Sequence, residues 1–166
     1  THDGYSVRFK ENILRDMGRA ATGVKGVNLR DGDFVVGSST INDSQEVLVV
    51  SENGLGKRTS AEQYPTKGRG GKGIKVMNVT ERTGKLAGLV TVNGDEDLML
   101  ITDTGVIIRT NVDNISQTGR SAQGVKVMRL DKEAHIVTFA LVEKEPEQTD
   151  AETAENGPEE VTSEEV

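Results

Sequence analysis

The 166-residue chain has no cysteine and two histidines, His2 and His135, far apart in sequence; this excludes a disulfide framework, a thiolate metal site and a local imidazole ligand motif. Its net charge of −7 is uneven: residues 143–166 carry ten acidic residues and one lysine, which leaves 19 basic and 17 acidic residues, or +2, on residues 1–142. No apolar run reaches the roughly 18 residues of a membrane span, and no signal-peptide pattern opens the chain.

The first predicted element is a turn in THDGYSVRF (Thr1–Phe9) that ends at Gly4, with Arg8 four residues later. The start at Thr1, inside that turn, suggests a segment of a longer protein. GRAATGVK (Gly18–Lys25) follows, with Arg19 and Lys25, then an alternating pair, Val27 and Leu29, and a strand pattern in FVVGSS (Phe34–Ser39). The same order then returns. EVLVV (Glu46–Val50) reads as a strand, SENG (Ser51–Gly54) as a turn, and Lys57-Arg58 stand just past it, Arg58 four residues after Gly54. GRGGKGIK (Gly68–Lys75) supplies Arg69, Lys72 and Lys75, with Lys67 just before it, and Met77 and Val79 precede the strand LAGLVTV (Leu86–Val92). On the third pass come DLMLIT (Asp97–Thr102), a turn at Gly105, the return strand VIIRT with Arg109, and GRSAQGVK (Gly119–Lys126) with Arg120 and Lys126. Met128, Leu130 and the strand IVTFALV (Ile136–Val142) close this pass.

Two independent motifs therefore share one period. The turn glycines and their arginines, and the pattern G-R-x-x-x-G-[VI]-K, each recur after 50 and then 51 residues. Short strands, turn glycines and the lack of helical periodicity predict an all-β bladed array over residues 1–142, with repeats near 1–45, 46–96 and 97–142. The hydrophobic phase slips by one residue after each G-[VI]-K, which predicts a bulge or a strand corner. Residues 143–166, acidic and nearly without apolar residues, are predicted to be a disordered tail. A mildly basic body with an acidic tail suits a polyanionic partner and an internal competitor for it.

Equivalent positions of successive blades share one radial place, so the cations are expected in rows: Arg8, Arg58 and Arg109; Arg19, Arg69 and Arg120; Lys25, Lys75 and Lys126. Such rows, joined by Lys57, Lys67 and Lys72, would track phosphates along a rim. Repeated arginines can equally protect strand edges. The spacing Gly68-x-Gly70-x-x-Gly73 resembles a dinucleotide fingerprint, yet a strand-like IKVMNV follows where a helix is required, and Ala20 and Ser121 replace the middle glycine elsewhere. GLGKRT (Gly54–Thr59) lacks the first glycine and the Ser/Thr of a P-loop. What remains is a basic loop whose backbone can approach phosphate without reading bases. An aromatic content of 3% disfavours single strands, which are held by stacking, and favours double-stranded DNA. The acids Asp95–Asp97 fall in a hairpin turn, and no catalytic or metal-binding constellation stands out.

These stretches, with LMLITDTGVIIRTNVDNISQTGRSAQGVKVMRL and the acidic tail, resemble the DNA gyrase A C-terminal domain family over nearly all of residues 1–142. The resemblance implies a β-pinwheel of six blades, of which this chain would supply about two and a half, with duplex DNA bent around a basic rim. The family's box, Q-[RK]-R-G-G-[RK]-G, is matched by KGRGGKG (Lys67–Gly73) only in its last five positions, so this loop is expected to be a secondary, box-like copy. The resemblance further implies a role in ATP-dependent negative supercoiling by a cytoplasmic bacterial A2B2 type IIA topoisomerase, with no cofactor in this chain and ATP and magnesium held on other domains. The equivalent domain of topoisomerase IV is the alternative within the family, and a protein-docking propeller the alternative outside it.

Overall fold

The computed structural model describes residues 1–144; the predicted tail beyond Lys144 lies outside the described residues. EVLVV forms the centre of the second repeat because both of its faces are covered. Strand β2 (Glu46–Ser51, the second in chain order after β1, Tyr5–Ser6) pairs antiparallel with β3 (Leu55–Ser60) on one side and β5 (Leu86–Val92) on the other. Val47 and Val49 point into a core with Tyr64, Val76, Met77 and Leu86, while Leu48 and Val50 enter a second core with Val92, Leu98, Leu100, Val112, Ile115, Met128 and Ile136. A strand covered on both faces reads as a continuous apolar run, as this one does. The third repeat repeats the design: β6 (Glu96–Thr102) lies between β7 (Ile107–Asn111) and β9 (Ile136–Glu143).

Two-residue strands stitch the repeats together. β4 (Ile74–Lys75) pairs with β1, placing Lys75 opposite Tyr5, and β8 (Val125–Lys126) pairs with β3, placing Lys126 opposite Leu55. These two G-[VI]-K segments thus add to the sheet of the preceding repeat. The last glycine of the motif makes this approach possible. A Cβ on Gly73 would stand 2.6 Å from the Ser6 carbonyl oxygen, and one on Gly124 would stand 2.4 Å from that of Gly56. Both glycines also have left-handed φ, 78° and 82°.

Two features depart from the sequence expectations, a missing strand and unexpected turns, and a third narrows one of them. FVVGSS forms no strand; its Gly37 instead packs against the Leu89 backbone. The phase slip is a strand corner, since β4 and β8 end at their lysines, and the register shifts lie elsewhere, at Val50/Ser51 and Ile101/Thr102. Short 3-10 turns, unforeseen, recur at Glu11–Ile13, Ala61–Gln63 and Val112–Asn114. Ser60 and Asn111 cap the latter two by accepting from the N–H groups of Glu62 and Asp113.

Candidate nucleic-acid interface

Two of the three arginines in the first row, Arg8 and Arg58, are turned inward, and Arg109 is exposed. Arg8 donates from Nη1 to the carbonyls of Ala61 (2.9 Å) and Tyr64 (3.1 Å), and its Nη2 meets Asp43 at 2.7 Å. One repeat later Arg58 does the same work: Nε donates to the Ile115 carbonyl at 2.7 Å, and Nη1 lies 3.2 Å from Asp113 and 3.1 Å from Glu46. Each guanidinium therefore ties the 3-10 turn of the following repeat through its carbonyls, that of Ala61 also accepting the turn's own bond from Tyr64 N–H. Arg109, with no described repeat after it, folds onto its own blade, donating to Asp97 (2.8 Å) and to the Glu143 carbonyl (2.7 Å). The expected rim row is therefore, for Arg8 and Arg58, a pair of inter-repeat pins only 17% and 15% exposed.

Lys57 departs furthest from its expected place. Its side chain is fully buried, and Nζ donates to the carbonyls of Gly119 (2.7 Å) and Arg120 (2.5 Å). Burial pushes its pKa down to about 8, with the like charge of Arg120 adding to the effect.

The second and third rows lie mostly outside and merge, with Arg120 half-buried. Lys25, Lys75 and Lys126 are exposed, as are Arg19, Lys67, Arg69 and Lys72. Arg69 donates to the Lys25 carbonyl at 3.2 Å, and Arg120 of the next repeat makes the matching bond to the Lys75 carbonyl. The second-row arginine of one repeat is thus tied to the third-row lysine of the repeat before it. The rows form one cationic track crossing both junctions rather than two parallel ones.

The glycine-rich loop of the second repeat is anchored by the first. Lys67 N–H donates to the Arg8 carbonyl, Gly70 N–H to Gly26 and Asn28 N–H to Gly71. Arg30, which belongs to none of the rows expected from the sequence, stacks on the Tyr5 ring at 3.3 Å and donates to the Lys72 carbonyl at 3.0 Å. Its signal in the sequence is faint, because no arginine occupies the matching place in the other repeats.

The first glycine of the motif is different from the last. Gly18, Gly68 and Gly119 recur in register, yet none has a left-handed φ and none has an atom within 4 Å of a built Cβ. The fold itself gives no reason for a missing side chain at these three places. Each opens a turn beside a second-row arginine, which leaves bare backbone next to a cation.

A family model described as DNA gyrase C-terminal domain, beta-propeller, matches residues 1–42, 45–93 and 96–143. The DNA gyrase A protein of Staphylococcus aureus strain NCTC 8325 / PS 47 is 50% identical over 159 residues, covering 95% of this chain and 17% of that protein. Its counterpart in strain MRSA252 is 51% identical over 144 residues, covering 86% of this chain and 16% of its own length. Among solved structures, a DNA gyrase A C-terminal domain superposes with a TM-score of 0.73 at 24% identity, covering 84% of this chain and 48% of that one. The C-terminal domain of a DNA topoisomerase IV superposes with a TM-score of 0.80 at 23% identity, covering 86% of this chain and 45% of that one. This chain therefore spans about a sixth of the curated relatives and just under half of the solved domains.

Proposed function

The chain belongs to the DNA gyrase C-terminal domain family, and on that premise we propose that it binds and wraps double-stranded DNA along the merged cationic track, independently of sequence. The observation that carries this reading is the recurrence of Gly18, Gly68 and Gly119 at places where the fold requires no glycine. A backbone without side chains, flanked by Arg19, Arg69 and Arg120, admits a phosphate to amide and guanidinium together, and phosphate contacts position a duplex without reading it. Lys25, Lys67, Lys72, Lys75 and Lys126 extend the charge along the direction in which the repeats follow one another. Arg8, Arg58 and Lys57 do not take part by direct contact; they hold the repeats in the order that aligns the track, while Arg109 is bonded within its own repeat.

Wrapping costs elastic energy, on the order of 1–6 kcal/mol for a 40–90° bend over 20–30 base pairs, which these contacts must offset. In the whole protein, DNA held in this way serves ATP-dependent negative supercoiling, with the ATP-binding and DNA-cleaving parts on other segments of an A2B2 assembly in the bacterial cytoplasm. Identity of 50% to gyrase A proteins favours this over the topoisomerase IV alternative. A gel-shift titration across salt tests the reading. With about six phosphates neutralised, log K should fall against log salt with a slope near −5, equally for unrelated sequences. Gly68→Ala should keep its thermal midpoint and bind more weakly. Absence of duplex retention at low salt overturns the proposal in favour of protein docking.

A further inference from the structure

We propose that Lys57 is a positioning residue for DNA binding: its ammonium, buried behind the loop of the third repeat, holds the Gly119 and Arg120 carbonyls inward and so presents the bare glycine and the arginine to a phosphate. This inference rests on the duplex-binding reading above. Packing does not call for a lysine here. The matching residues of the first and third repeats are Val7 and Ile108, so a hydrocarbon fills this position twice over. Lys57 instead places a buried cation beside the cation of Arg120, an arrangement that opposes folding and needs a compensating contact.

The compensating contact is specific. The two carbonyls that Nζ engages belong to the unexplained glycine and to the second-row arginine, the two residues that open the motif. Left outward, those oxygens would face a phosphate and repel it; held inward by an ammonium, they carry positive charge behind them. In the second repeat the bonds fall further along the loop, from Arg30 to the Lys72 carbonyl and from Asn28 N–H to that of Gly71, while Gly70 N–H donates to Gly26. The other groups around Lys57 leave its charge as the one variable. Val49 lies opposite it on β2, and Gly124, ahead of β8, packs against its Cβ. The Tyr64 phenol, which also feels Arg120, is pushed up to about 12 by burial and stays neutral. With the Lys57 pKa near 8, raising the pH turns charge-assisted bonds into weaker neutral ones.

Duplex affinity and folding stability should therefore respond to pH with opposite signs. The folded pKa lies below the value of a free lysine, so the unfolded chain binds more protons between about pH 8 and about pH 10.5, and stability rises with pH across that window. Affinity should instead fall. The experiment measures duplex binding by the 166-residue chain at constant salt between about pH 7 and about pH 9, alongside Lys57→Met and Lys57→Val, the latter copying the first repeat. The free Thr1 amine is common to all three proteins, so the difference between profiles isolates Lys57. The wild type should weaken by about three- to tenfold, the scale of one modest charge contact, and both variants should start weaker and stay flat. Amide exchange of residues 118–124 should quicken in the variants even without DNA. Slow exchange in both variants overturns the inference whether or not the chain binds DNA. Wild-type binding with identical profiles in all three proteins overturns it while leaving duplex binding intact. A wild type that retains no duplex overturns both.

Discussion

Gly124 has φ 82° and leaves only 2.4 Å between a built Cβ and the Gly56 carbonyl oxygen, whereas Gly119, five residues earlier in the same motif, has open space around it. The sequence shows both glycines recurring at one period and cannot tell them apart, because register reports that a position is repeated and not what it touches. The same limit applies to the cations. Arg58 and Lys75 recur equally well, but one is half-buried against Ile115, Asp113 and Glu46 and the other is exposed. Lys57 carries a contrary signal, since its matching residues are Val7 and Ile108; an apolar pair in register predicts a buried position whatever occupies the third copy. The packing role of Gly124 leads to a definite expectation. Gly124→Ala must shift backbone on both sides of the β3–β8 pairing and adopt a disfavoured φ, costing about 3 kcal/mol or more in a urea unfolding titration. The cost should separate it from Gly68→Ala by several-fold; equal stability of the two variants would refute the assignment of Gly124 to the junction.

At the level of elements, the long apolar strands were legible, whereas the six-residue β3, with the sequence LGKRTS, and the two-residue strands were not. EVLVV, LAGLVTV and IVTFALV correspond to β2, β5 and β9 because their apolar runs are long enough to show a period. β1, β4 and β8 have two residues each, too few for any pattern, and they exist because a neighbouring repeat supplies the partner. FVVGSS has the composition of a strand but no ladder on which to form one, so Phe34 and Val35 remain half exposed. The two central strands also differ in a way that mutation can read. β2 is buried on both faces, with Leu48 and Val49 both fully buried. β6 buries Leu98 and Leu100 fully but leaves Met99 and Ile101 partly open. Leu48→Ala, Val49→Ala and Leu98→Ala should each cost about 2–4 kcal/mol, whereas Met99→Ala should cost about 1 kcal/mol or less. Chemical denaturation of the four variants checks this. A large loss at Met99 would mean that its face of β6 is covered in solution.

For the molecule as a whole, each junction is used once per neighbour, and the ends of the described array show what an unused junction looks like. Gly54 packs on the Met128 carbonyl and Gly4 on that of Met77, but their counterpart Gly105 has nothing within 4 Å. Likewise Gly73 and Gly124 press on the preceding repeat, and Gly23 presses on nothing. Exposed apolar side chains gather at these same ends: Val24 and Leu29 in the first repeat, Val106 and Ile107 in the third. Partial arrays of this type rely on their neighbours for stability, in keeping with a chain that covers just under half of the solved domains it matches. Charge is also distributed at this scale. Residues 145–166 carry nine acidic residues and no basic ones, tethered one residue beyond β9, whose last carbonyl accepts from Arg109. A tethered polyanion competes with DNA for exposed lysines at a high effective concentration, and salt screens that competition as it screens DNA binding. Ending the chain at Lys144 keeps β9 and the Arg109 contact in place and removes the competitor alone. The shortened chain should bind duplex more tightly at low salt, by about three- to tenfold, with the gain shrinking as salt rises. Filter binding of the two chains over a salt series measures this directly; the same affinity at every salt concentration would show that the tail does not reach the track.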